Sequence, residues 1–141
     1  MAVFNKLNQF VEDLAKKVHN LNSDALYVAL SNTAPSATNA VLSSITEIAA
    51  GNGYVAGGNA AAFVSGAQTS GTYKLVLASV TFTASGGSIA AFRYAYLYNS
   101  TPTSPLKPLI GYWDYGAALT ITNGNSFVVS LDQTNGVLTI V

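Results

Sequence analysis

The run Ile89-Ala90-Ala91-Phe92-Arg93-Tyr94-Ala95-Tyr96-Leu97-Tyr98 alternates with a period of two. Phe92, Tyr94, Tyr96 and Tyr98 fall on one face, and Arg93, Ala95 and Leu97 on the other. A period of two is that of a β-strand, and aromatic residues suit a pleated, half-buried surface. Working outward, a proline-punctuated loop from Thr101 to Pro108 leads to a second strand from Leu109 to Tyr115. Leu119–Thr122 and Phe127–Leu131 flank Asn123-Gly124 and predict a hairpin, and Asn135-Gly136 turns the chain into a last strand at 137–141. Upstream, Gly86-Gly87 suits a tight turn, Tyr73–Phe82 reads as one strand or two, and Gly66–Gly71 reads as a loop of small residues. Ala25–Leu30 is a short apolar strand. Ile45, Ile48 and Ala49 fit either a helical turn or an irregular strand.

Only the N-terminal segment reads differently. Five of the twelve charges lie between Lys6 and Lys17, while Phe4, Leu7, Val11, Leu14, Val18 and Leu21 recur at intervals of three and four. That spacing predicts an amphipathic α-helix within residues 1–22, with the turn Asn22-Ser23-Asp24 after it. The helix either lies on its own β domain or docks on a neighbouring subunit. Residues 23–141 then form a single β domain. Short strands separated by Gly and Asn, with no βαβ alternation, predict a mainly β fold. The expected architecture is a β-sandwich or jelly-roll of antiparallel strands preceded by one helix.

Composition narrows the function. The chain has 141 residues, of which 50% are apolar and 9% charged, and its formal net charge is zero. An average soluble domain is roughly 25% charged. Such a chain lacks the mutual repulsion that keeps monomers apart, which points to life in an assembly. Six basic residues form no stripe for nucleic acid. There is no cysteine, no apolar run of membrane-spanning length, and no basic-then-apolar leader pattern at the start. Asn99-Ser100-Thr101 matches a glycosylation sequon without the export signal that would give it meaning.

No residue set predicts enzymatic chemistry. His19, the one histidine, is accounted for by the dipole at the end of the helix. Asp24, Glu47, Asp114 and Asp132 are scattered, so neither a metal site nor an acid–base pair is indicated. Gly51, Gly53, Gly57 and Gly58 lack the Gly-Lys-Ser/Thr continuation of a phosphate loop. We therefore expect no catalytic, cofactor or metal residues. The aromatic run Tyr112-Trp113-Asp114-Tyr115 fits a sandwich core, a protein interface or a sugar-stacking platform. Phe4, Leu7, Phe10, Val11 and Leu14 of the helix, with Tyr112 and Trp113, are the candidate protein interface.

Several blocks resemble a family of small structural proteins of tailed bacteriophages. They are residues 24–30 (Asp-Ala-Leu-Tyr-Val-Ala-Leu), Thr46-Glu47-Ile48, residues 51–58 (Gly-Asn-Gly-Tyr-Val-Ala-Gly-Gly), residues 93–98, residues 108–116 (Pro-Leu-Ile-Gly-Tyr-Trp-Asp-Tyr-Gly) and residues 135–139. The resemblance runs in order from Asp24 to the end and carries no catalytic residues. It implies a virion component made in the host cytoplasm, in the manner of capsid cement or decoration proteins. These sit on the exterior of the shell, bind the major capsid protein and associate with themselves as dimers or trimers. The alternative is a tail or fibre component that binds a host-surface carbohydrate or another tail protein. Neither nucleic acid nor membrane is an expected partner.

Overall fold

The computed structural model describes residues 2–141. Its elements are β1 (Phe4–Lys6), α1 (Asn8–Ala15), β2 (Leu26–Ser31), a 3-10 turn (Leu42–Ser44), β3 (Asn59–Ala60), β4 (Phe63–Thr69), β5 (Thr72–Leu77), β6 (Val80–Thr83), β7 (Ile89–Asn99), β8 (Leu109–Ile121), β9 (Ser126–Val129) and β10 (Leu138–Ile140). The chain is mostly β, as the alternation predicts. All strand pairings are antiparallel, in a five-stranded sheet β1-β8-β7-β2-β3, a three-stranded sheet β10-β5-β4 and a two-stranded sheet β6-β9.

The large sheet packs against the two smaller ones in a sandwich-like arrangement. Val28, Leu97 and Trp113 from the first meet Leu75, Leu77 and Leu138 from the second and Phe82 and Val129 from the third. The opposite face of the large sheet carries a second core, in which Ala29, Tyr94, Tyr96, Tyr98 and Leu109 are covered by Leu7, Leu42 and Ile45. Strand β7 therefore buries side chains on both faces. The stretch that was ambiguous in sequence is irregular and extended: it follows the 3-10 turn Leu42–Ser44, Glu47 bridges Ser31, and Ile45 enters this second core and Ile48 the first.

Buried tyrosines still need hydrogen-bond partners for their hydroxyls, and these pin the long loops to the sheet. The Tyr96 hydroxyl donates to the Thr33 carbonyl (2.8 Å) and that of Tyr98 to the Gly57 carbonyl (2.6 Å). Burial pushes the Tyr98 hydroxyl pKa up to about 12. Tyr54 donates to Glu47 Oε1 (2.6 Å) and accepts from the Leu30 amide (3.1 Å), while Gly57 N–H donates to the same carboxylate oxygen (2.7 Å). Gly58 lies so close to β2 that a Cβ would overlap the Val28 carbonyl. The segment 51–58 is thus a loop laid between the β6–β7 connection, which Asn52 and Gly53 touch, and the edge of β2, which Gly58 touches.

The structure departs from the sequence expectations in several places. The helix covers Asn8–Ala15, not the whole stripe to Leu21. Phe4–Lys6 instead pairs with β8, where Gly111 leaves room for the Phe4 ring and the Asn5 carbonyl. Lys17 takes a left-handed conformation (φ 64°) and closes the helix, with Lys17 N bonding Leu14 O and Val18 N bonding Asp13 O. Phe92 joins the Leu97 core, not the tyrosine face, because the register shifts between Phe92 and Tyr94. Leu109–Ile121 is one strand, with the extra residues taken up around Gly116 (φ 82°).

Asn123-Gly124 does turn the chain, but β9 pairs with β6 and not with β8, so the turn is a corner between sheets. The small residues Gly66–Thr69 belong to β4, and the loop shrinks to Ser70-Gly71. Both turn residues have positive φ (51° and 83°), the geometry of a two-residue hairpin turn.

Tyr54→Phe removes an acceptor from the buried Leu30 amide and a donor from Glu47. The expected loss is about 1–3 kcal/mol, read as a lower urea midpoint at unchanged slope. An unshifted midpoint would show that the tyrosine does not hold the loop.

Candidate protein interface

The N-terminal segment is fastened before it can present anything. Phe4 stands opposite Trp113 with ring centroids 5.1 Å apart, and the Leu7 amide donates to the Ile110 carbonyl (3.0 Å). Leu7 and Phe10, each 1% exposed, enter the second and first cores respectively, and Trp113 is 3% exposed in the first. These three candidate interface residues are interior and are corrected to core positions. Their size serves to hold β1 and α1 onto β8.

Phe4, Leu14 and Tyr112 are half-buried, and Val11 is 52% exposed. Tyr112 and Trp113 are neighbours in sequence but face opposite sides of β8, as successive strand residues must. Tyr112 packs 6.0 Å from the Tyr96 ring in the second core. They therefore form no common stacking surface.

The structure does bring Phe10, Val11 and Leu14 together with Lys6, Thr139 and Ile140 around a cleft of about 360 Å³. Phe4 and Trp113 line a second cleft with Val3, which is 75% exposed. What remains of the candidate interface is an exposed apolar surface in two parts, Val3 at one cleft and Val11, backed by Leu14 and Ile140, at the other. Val3 and Ile140 were not legible as members. Their place depends on β10 packing beside α1, and periodicity along one segment does not report that.

A polar cluster lies behind this surface. His19 is 6% exposed, four residues beyond the end of α1, so the dipole account of it does not hold. Asn99 Nδ2 donates to Asp24 Oδ2 (2.6 Å) and lies 3.1 Å from His19 Nδ1. Asn99 itself is fully buried, which closes the sequon. Asp13 Oδ2 and His19 Nε2 are buried without a hydrogen-bond partner. Burial lowers the His19 pKa, against the opposing charges of Asp13 and Asp24. The cluster ties the turn after α1 to the end of β7.

The other carboxylates are committed locally. Asp114 takes Arg93 Nε (2.8 Å) and the Gly116 amide (2.7 Å), and both contacts hold its pKa below the usual carboxylate range. Asp132 accepts from the Thr134 and Asn135 amides (both 2.8 Å). The Glu12–Lys16 ion pair forms on the exposed side of the helix. Among the described residues no three His, Asp or Glu side chains converge as a metal ion would require, and no helix is long and apolar enough to cross a membrane.

Comparison of the chain with protein-family models, with curated proteins and with solved structures finds no match. The functional reading therefore rests on the residues themselves.

Two outcomes are expected. A Cβ at Gly111 would overlap the Phe4 ring and the Asn5 carbonyl. Gly111→Ala should therefore cost about 1–3 kcal/mol and expose the N-terminal segment to protease; wild-type protease resistance would contradict this.

Because burial lowers the folded-state pKa of His19, the unfolded chain binds its proton first as pH falls. Stability contributed by neutral His19 is present above about pH 6.5 and is lost as pH drops below that value. The melting temperature should fall between pH 7.5 and pH 5, and less so in His19→Gln; identical slopes would remove His19 as the cause.

Proposed function

We propose that the chain is a non-enzymatic structural protein of a tailed-phage virion, a cement protein that attaches to the major capsid protein and associates with itself. The observation that carries this reading is the sparsely charged surface. No charged residue occurs between Glu47 and Lys74, yet that stretch contains the exposed side chains Val55, Phe63 and Val64. With Val3 and Val11 on the N-terminal segment, apolar groups recur over the surface where a free monomer would carry charge. The phage-like sequence blocks support the same reading.

The physics of such a role needs no catalytic group. A protein that binds only the assembled lattice stabilises it by mass action. Repetition over many sites allows each contact to be modest. The N-terminal surface is the one we assign to the capsid, because its exposed valines stand on a segment anchored by Phe4, Leu7 and Phe10. In the tail or fibre alternative, a sugar-stacking site at Tyr112–Tyr115 has less to rest on, since Trp113 is buried. Attachment to another tail protein would use the same surface.

Capsids of the encoding phage should release their genome at a lower temperature when this chain is deleted. Wild-type protein added back should restore them, and Val3→Asp/Val11→Asp protein should fail to bind. Unchanged capsids on deletion would sink the cement role.

A further inference from the structure

The hairpin of β4 and β5 is the least protected part of the fold. Six of the seven residues of β4 are exposed, and Gly66 is half-buried beneath Tyr73. One edge is open as well, because β4 ends the order β10-β5-β4 with no strand beyond it. Proteins that must stay monomeric defend such edges with charge, proline, shortness or a bulge.

Other open edges in this chain are shorter or charged: β6 and β9 have four residues each and β10 has three. Strand β1 has three residues and ends in Lys6, and β3 has two residues. Strand β8 beyond Trp113 carries Asp114 and the irregularity at Gly116. Strand β4 (Phe-Val-Ser-Gly-Ala-Gln-Thr) has neither charge nor proline. Its bulge lies at the base, between Phe63 and Ser65, and leaves Ser65–Thr69 in unbroken register with β5.

We propose that β4 is a self-pairing edge. Two copies of the chain join antiparallel, β4 against β4, about a two-fold axis near Ala67, and extend β10-β5-β4 into a continuous six-stranded sheet. A second copy fits for three reasons. An antiparallel edge presents the same alternation of donors and acceptors when rotated about a two-fold axis, so it complements itself. The meeting surfaces are neutral, so two copies do not repel. Lys74, the one charge in the hairpin, is turned toward the β10 side, where it donates to the Thr134 carbonyl (2.9 Å).

The side chains of Ser65, Ala67 and Thr69 that share a face are small, and the longer Lys74 opposite Ala67 on that face reaches away from β4 to Thr134. The inference rests on the self-association proposed above and not on attachment to a capsid.

Light scattering on the purified chain tests it. The expected mass is twice 14.6 kDa. Ala67→Lys and Ala67→Glu should each return the mass to that of the monomer, and an equimolar mixture of the two should restore the dimer. The chain has no cysteine, so single cysteines report geometry cleanly. Ala67→Cys should oxidise to a covalent dimer, Ser65→Cys and Thr69→Cys should do so only when mixed with each other, and Val11→Cys should stay monomeric on denaturing gels.

A monomer at high micromolar concentration would overturn the proposal. So would a dimer that survives both charge substitutions and cross-links at none of the β4 positions. A β4 dimer that fails to bind capsids would defeat the cement reading and leave this one standing.

Discussion

Everything else in this protein depends on β7 being buried on both faces and paired along both edges. Over Tyr94–Asn99 its backbone is paired with β2 on one side and with β8 on the other. Its side chains alternate between two cores, with Ala95 and Leu97 toward the smaller sheets and Tyr94, Tyr96 and Tyr98 toward the loops. A face made of tyrosines cannot simply be covered with hydrocarbon, because each buried hydroxyl needs a partner. Backbone carbonyls of the loops supply partners to Tyr96 and Tyr98. The loops at Thr33 and Gly57 are therefore held by the same residues that form the second core.

The same economy shapes the surface. Phe4, Leu7, Phe10 and Trp113 are spent on anchoring the N-terminal segment, and this leaves Val3 and Val11 as its outward apolar groups. With so few charges in the chain, solubility rests on Ser, Thr, Asn and backbone. A surface of this kind is suited to lying against other protein. That property, together with the phage-like blocks, is why a structural role in a virion is the reading proposed.

Strand identity was legible wherever alternation is local. The residues of β2, β7 and the first half of β8 read directly as strands. What could not be read depends on contacts distant in sequence. The Phe4–Leu21 stripe has helical spacing throughout, yet its first turn is captured by β8 because position 111 is a glycine. Phe92 follows the tyrosine rhythm but changes faces at a register shift made by its neighbour strand. Gly66–Thr69 has the composition of a loop and becomes a strand because β5 supplies the ladder. At the site, the apolar character of Phe4–Leu14 was legible, but which of those residues face outward was not. The His19 cluster needs Asn99, eighty residues away, to exist at all.

The most direct test of the account is electron cryomicroscopy of the virion that carries this chain. Density for the sandwich should repeat over the outer shell, with the segment bearing Val3 and Val11 against the major capsid protein. Density confined to the neck, tail or fibres, or absent from the particle, would contradict it.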